Sequence, residues 1–379
     1  MKEKKYDKKD VERFFFKKKV TAVLFIVFIM YFFVTSFFNN KHEEIAVNVF
    51  GYIQNILGKN EEADFQLIKD KEGALHLGRF NSGINDTKPL ADKMLNLKSN
   101  IENENTRLLY LMTPDKVIEG ITKFDRGLPK DYNNENADDF LKNLSENGIE
   151  YIDIRDDILN NSIEYGDVFY KTDTHWKIES VFKGYTYLID KLNADYHENL
   201  DSDYKFRDLE NYNTITYKDS YLGSLGRKVG KFYAGLDDFT LIYPKFKTNY
   251  IVQYTSPNKS FESRGLFQDT MINSNSFLNK NGPYSVESDK YFSYLLGNIS
   301  DVHIKNNNIS NGSKAVFIKD SFAVPVAAFM STLFEDIYLV DPRYYEGSIK
   351  DYVNSISNID YLFIFYSLPN LTTEFFDFS

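Results

Sequence analysis

Five short stretches stand out for near-continuous apolarity: Arg107–Met112 (RLLYLM), 150–154 (EYIDI), Lys314–Lys319 (KAVFIK), Asp336–Val340 (DIYLV) and Tyr361–Tyr366 (YLFIFY). Strands of this kind are covered on both faces, as in a parallel sheet, whereas a sheet with one wet face alternates polar and apolar positions. Amphipathic, helix-length stretches lie between and beside them at 137–147, 177–192, 322–333 and 349–357. Strand, helix, strand in succession predicts right-handed α/β units. Residues 200–300 follow another pattern. Tyr and Thr alternate with polar residues at 212–217 (YNTITY) and 249–254 (NYIVQY), between clusters of Asn, Asp, Gly and Ser. This predicts a β-rich antiparallel insertion within one large domain.

The N-terminus breaks from this pattern. Residues 20–38 (VTAVLFIVFIMYFFVTSFF) contain no charge, and at 1.5 Å per residue they are long enough to cross a hydrocarbon core of about 30 Å. The run exceeds the usual apolar stretch of a signal peptide and no small-x-small cleavage site follows, so it reads as one uncleaved transmembrane helix. Residues 1–19 carry nine Lys/Arg against four Asp/Glu, a net +5, and Lys17, Lys18 and Lys19 abut the run. The positive-inside rule places this tail in the cytoplasm and the rest outside. The expected organisation is a basic tail (1–19), a membrane helix (20–38), a juxtamembrane linker or helix (39–64) and an extracytoplasmic domain (65–379).

Charge and composition narrow the chemistry. Lys and Arg number 45 against 55 Asp and Glu, a net of −10, which leaves −15 beyond the tail and argues against nucleic acid as a partner. There is no cysteine, so disulfides, thiolate metal sites and cysteine nucleophiles are excluded. The five histidines (His42, His76, His175, His197 and His303) are nowhere three or four apart, so no dedicated metal site is expected. Many Asn, Lys, Tyr and Phe with few Pro suggest a low-GC bacterium.

Two motifs carry candidate chemistry. In Lys171-Thr172-Asp173-Thr174-His175-Trp176, Asp173 and His175 are two apart, so an extended backbone sends both side chains to one side. A carboxylate beside an imidazole can orient a general base; the alternative is an Asp that caps the next helix while His and Trp pack. In Lys319-Asp320-Ser321-Phe322 an apolar strand ends and a helix begins, which puts the Ser321 hydroxyl at the C-terminal sheet edge beside free helix N–H groups. Ser and Asp are also ordinary helix caps, so this motif too has a structural reading.

Taken together, Thr172-Asp173-Thr174-His175-Trp176, the later Asp320-Ser321-Phe322 and Val340-Asp341-Pro342-Arg343-Tyr344-Tyr345 resemble the DHHW proteins of Gram-positive bacteria, relatives of the SGNH-hydrolase-like alginate O-acetyltransferases of the AlgJ/AlgX type. The resemblance covers roughly 65–379. It is strongest at 168–192 and 313–370 and weaker at 113–116 and 221–225. It implies an SGNH-like three-layer α/β sandwich with a mostly parallel sheet. It also implies Ser321 as nucleophile, His175 as base and Asp173 as its orienting partner, with no cofactor. Thr174 stands where the DHHW name has His, Lys319 where Gly-Asp-Ser hydrolases have Gly, and Val324 where many relatives carry an Asn able to serve an oxyanion hole.

Three further residues are expected near substrate. Arg343 reaches the same sheet edge or pairs with Asp341 or Glu346. Lys116 lies after the first strand, at the edge or solvated. Trp176 buttresses the histidine or stacks on a sugar. The function implied is O-acyl transfer, most plainly of acetyl, to hydroxyls of a cell-surface polysaccharide, with a multi-spanning MBOAT-type partner supplying the acyl group. The rivals are a carbohydrate esterase and a non-catalytic polysaccharide-binding or assembly subunit.

Overall fold

The computed structural model describes residues 42–79, 83–128, 131–160, 165–274 and 285–379. The apolar run at 20–38 lies outside them. Among the described residues no helix is long and apolar enough to cross a membrane.

The described chain opens with helix α1 (His42–Ile56), followed by a small antiparallel sheet of β1 (Glu61–Glu62), β2 (Leu67–Lys69) and β3 (Leu75–Leu77). Next come α2 (Lys88–Ser99), β4 (Arg107–Met112), α3 (Asn133–Glu146), β5 (Glu150–Asp153) and the long α4 (Ile178–Tyr196). Strand β6 (Tyr212–Tyr221) leads through two short helices, α5 (Ser224–Val229) and α6 (Lys231–Ala234), into β7 (Asp237–Pro244), its antiparallel partner. Then follow β8 (Tyr250–Ser256), β9 (Lys259–Gly265), β10 (Asp301–Asn306), β11 (Lys314–Lys319), α7 (Ala323–Met330), β12 (Asp336–Val340), α8 (Ile349–Asn354) and β13 (Tyr361–Tyr366).

Eight strands form the central sheet in the order β5-β4-β13-β11-β12-β10-β8-β9. The first five are parallel to their neighbours, and β10, β8 and β9 are added antiparallel. The sheet is therefore mixed. Alternate residues of each central strand enter separate cores: Phe363 and Phe365 of β13 pack on the side of α4 and α7, while Leu362 and Ile364 pack with α2, α3 and α8. Both faces are dry, which is why β4, β11 and β13 read as unbroken apolar runs. The result is an SGNH-like three-layer α/β arrangement.

The expected β-rich insertion is not one separate unit. Only β6 and β7 stand apart as a ribbon, whereas the β8–β9 hairpin extends the main sheet through β10. Strand β10 (DVHIKN) alternates half-buried and buried positions, the pattern of a strand with one wetter face, and so lacks the signature that marks its neighbours.

Candidate active site

Ser321 follows directly on β11, one of the central parallel strands, at the carboxyl edge where ligands of open α/β sheets bind. The turn that carries it is fixed from beneath by the fully buried Asp320. One oxygen of that carboxylate accepts from Phe322 N–H at 2.8 Å, and the other accepts from Ser367 N–H, Ser367 Oγ–H and Asn370 Nδ2, each at 2.7 Å. The dipeptide Asp320-Ser321 thus divides its labour: the acid holds the corner and the hydroxyl faces out.

Residues 169–176 form a tight loop that brings the second motif to the same edge. Phe169 and Trp176 pair across it, and Tyr170 N–H donates to the His175 carbonyl at 3.2 Å. The loop is clamped by Asp237, which accepts from the N–H groups of Lys171 and Thr172, both at 2.8 Å, and from the Thr172 hydroxyl. Consequently His175 Nε2 lies 2.8 Å from Ser321 Oγ, and His175 Nδ1 lies 2.5 Å from Asp173 Oδ1. With Nδ1–H donating to the carboxylate, Nε2 is left as the acceptor facing the serine hydroxyl.

Asp173 is sealed in. Its Oδ1 also accepts from His175 N–H at 3.0 Å, and its Oδ2 accepts from Tyr221 Oη–H at 3.0 Å and Ser224 N–H at 2.5 Å. Burial pushes this carboxyl up, but the neighbouring imidazole, its hydrogen bond and the two backbone N–H groups outweigh burial and hold it well below the usual carboxylate range. Gly223 lets the cradle close: a Cβ there would sit 2.3 Å from Asp173 Cβ.

The three other expected site residues end up in different roles. Trp176 is fully buried, its Nε1–H donating to Tyr291 Oη at 3.2 Å. Tyr291 in turn stacks on the His175 ring (3.9 Å between centroids) and donates to the Ser321 carbonyl at 3.2 Å. Trp176 therefore supports the histidine from behind and offers no face to a sugar. Arg343 makes a two-pronged contact with Asp341 (2.9 and 2.7 Å), which also pairs with the buried Lys319 at 2.9 Å. This places the guanidinium in an ion-pair cluster with Asp341, the alternative the sequence left open, and Arg343 is not among the residues that line the Ser321 cleft. Lys116 is buried, and its ammonium donates to the carbonyls of Asp173 at 2.5 Å and Lys171 at 3.2 Å. Burial, opposed by nearby carboxylates, brings it down to about 8. It ties the carboxyl end of β4 to the 169–176 loop and is not a solvated lysine, although it borders the cleft.

That cleft, about 210 Å³, is lined by Ser321, His175, Thr174, Lys116, Asp115 and Asn370 among others. Asp115 falls in the weakly resembling stretch 113–116, but nothing in the sequence gives it a role. Burial and the nearby Asp131 push it up to about 7, against the hydrogen bonds it accepts from Asn133 Nδ2 and Lys116 N–H. Val324, the residue substituting for an expected Asn, is buried in the core.

Comparison with known proteins bears on the fold. Residues 84–271 match the family described as "SGNH hydrolase-like domain, acetyltransferase AlgX". The fold is similar to Bacillus cereus PatB1, solved free and with a sulfonyl adduct, at TM-score 0.66 and 20% identity over 83% of this chain and, for the adduct, 98% of that one. It is also similar to a DHHW family protein from Eubacterium siraeum, at TM-score 0.57 and 19% identity over 80% of this chain and 91% of that one. No curated protein matches the sequence. The resemblance to DHHW proteins and to the AlgX-type domain holds, and at these identities the solved structures show the shared fold.

Proposed function

We propose that this protein, which carries an SGNH hydrolase-like domain of the AlgX type, is a membrane-anchored serine O-acyltransferase that acts outside the cytoplasm on hydroxyls of a cell-surface polysaccharide. The observation that carries this reading is the unbroken relay from Ser321 Oγ through His175 to Asp173 at the mouth of a cleft. His175 Nε2 takes the Ser321 proton as Oγ attacks the acyl carbonyl, and Asp173 stabilises the imidazolium that forms. In this scheme backbone N–H groups at the start of α7 receive the developing oxyanion. The leaving group departs with the proton from His175, leaving an acyl ester on Ser321. A sugar hydroxyl deprotonated by the same His175 then attacks that ester, and the serine recovers its proton.

No cofactor enters either half-reaction. An MBOAT-type partner supplying acetyl through the membrane completes the scheme. Two departures from the family pattern favour the rival non-catalytic subunit: Val324, buried in the core, brings no amide donor to an oxyanion hole, and Lys319 pairs with Asp341.

The test uses a sulfonyl fluoride, chosen because PatB1 was solved with a sulfonyl adduct. The reagent should add one sulfonyl group at Ser321, fluoride leaving as Oγ bonds to sulfur. Small activated esters should be hydrolysed slowly, with Ser321→Ala and His175→Ala each removing nearly all of that activity and the double variant little worse, because such residues act as a unit. Modification or hydrolysis indifferent to Ser321→Ala would disprove the mechanism.

A further inference from the structure

Helix α1 is built inside out. The side it packs against α5 and α6 carries Asn48, Gly51 and Gln54, all buried. Asn48 Oδ1 accepts from Lys231 N–H at 2.9 Å, and a Cβ on Gly51 would come within 2.2 Å of the Val229 carbonyl oxygen. Among its apolar residues, which also include Ala46, Val47, Ile53 and an exposed Phe50 off to the side, positions 45, 49, 52 and 56 are spaced to make one stripe. Ile45, Tyr52 and Ile56 on that stripe are half or more exposed, and Leu57 continues it. Phe232 of α6, equally exposed, stands edge-on to Tyr52 at 6.3 Å and widens the patch. Lys59, just past the helix and paired with Glu61 at 3.5 Å, and Lys228 of α5 are exposed, and the half-buried Lys231 sets its ammonium over the Phe232 ring.

We infer that this face rests on the surface of a lipid bilayer. The inference depends on the anchor reading of 20–38. Only Asn39, Asn40 and Lys41 separate that run from α1, a reach of at most about 14 Å fully extended, so α1 must start at headgroup depth. A Tyr and Phe-bearing apolar stripe with a lysine rim is the composition that sits at a membrane interface, rings at the headgroups and ammonium groups towards anionic lipid. The placement has a consequence for catalysis. Helix α5, packed against α1, donates Ser224 N–H to Asp173 and sets Leu225 in the wall of the Ser321 cleft. The cleft therefore lies one short helix from the bilayer surface, where an acyl group carried through the membrane emerges.

The absence of cysteine makes the test direct. The full chain is placed in vesicles of phosphatidylcholine and phosphatidylglycerol containing brominated lipid. A fluorescent thiol probe is attached to Tyr52→Cys, Phe232→Cys or, as a control on exposed α3, Lys142→Cys. Lipid quenching several-fold stronger at 52 and 232 than at 142 supports the inference. Position 232 is decisive, since it is remote in sequence from the anchor and would swing free on a merely tethered domain. Equal quenching at 232 and 142 overturns the inference, as does a probe at 232 that is shielded from water yet unquenched by lipid, the mark of a second copy covering the face. Release of the chain by alkaline carbonate would show instead that the anchor itself had failed. Loss of Ser321-dependent esterase activity, read on the same vesicles, would bear on the acyl-transfer reading alone.

Discussion

Asp173 is held by contacts that arrive from far along the chain, and its neighbours make the sharpest tests. Gly223→Ala forces a methyl to within 2.3 Å of Asp173 Cβ, so the carboxylate must shift against the imidazole. Kcat on activated esters should fall by roughly 100-fold, the cost of misplacement by about an ångström, with KM changed far less. Asp173→Asn keeps the shape but favours the wrong histidine tautomer, and should lower kcat by about 10³–10⁴-fold, less than removing Ser321. Steady-state kinetics on one ester separates these cases. Asp115 gives a pH test. Its carboxyl is raised to about 7 by burial, so between about 4 and 7 the folded protein holds a proton that the unfolded chain has lost. Its contribution to stability is therefore present at low pH and disappears as pH rises through 7. Asp115→Asn, which has no proton to lose, should gain on wild type as pH goes from 4 to 8, by on the order of 2–4 kcal/mol. Urea unfolding at the two pH values measures this directly, and an advantage that shrinks with pH would contradict the assignment.

Elements differ in how plainly the sequence announces them. Strands β4, β11, β12 and β13 are readable to the residue, because a strand buried on both faces must be apolar throughout. Strand β10 is not, since its polar positions look like loop, and the pairing of β8 with β10 joins segments that no local pattern connects. The site divides the same way. Spacing and the strand end mark Asp173, His175 and Ser321 only as candidates that read equally as helix caps or packed side chains, and their roles were legible through the resemblance to DHHW proteins. Tyr221 and Ser224 reach Asp173 from 48 and 51 residues away; the sequence marks 221–225 only as a weak point of the resemblance, and their contact with Asp173 is visible only in the folded chain. Trp176 was legible as important but not as buried. Its contacts run from Tyr291 to Phe322 and Phe365, all within the core beneath the histidine. Trp176→Ala should accordingly cost about 3–5 kcal/mol of stability, the price of emptying an aromatic site. A sugar platform would behave otherwise: the variant would keep its unfolding midpoint and lose only acceptor binding. Calorimetry beside acceptor titration tells the two apart.

At the scale of the whole molecule the charge distribution and the site location have to agree on one topology. The tail's +5 and the three lysines abutting an uncharged run favour a cytoplasmic N-terminus, and in the proposed topology the −15 beyond it belongs to a domain on the other side. The proposed chemistry needs that side, because hydroxyls of a surface polysaccharide are found there. A periplasm- or surface-active reporter fused after Ser379 should therefore report, and a cytoplasm-dependent one should stay silent. Protease added to intact protoplasts should digest the domain while sparing a tag placed before Lys2. Replacing Lys17, Lys18 and Lys19 with glutamine should blur the orientation, lowering reporter activity, since the lysines nearest the apolar run dominate the choice of side. A mature N-terminus mapping near residue 40 would make the run a cleaved leader. In that case α1 would lose the tether that brings its apolar stripe to the bilayer, and the vesicle quenching at Phe232→Cys should vanish with it. A domain protected from protease in intact protoplasts would remove the polysaccharide from reach, and with it the reason to place an acyl-transfer relay at the edge of this sheet.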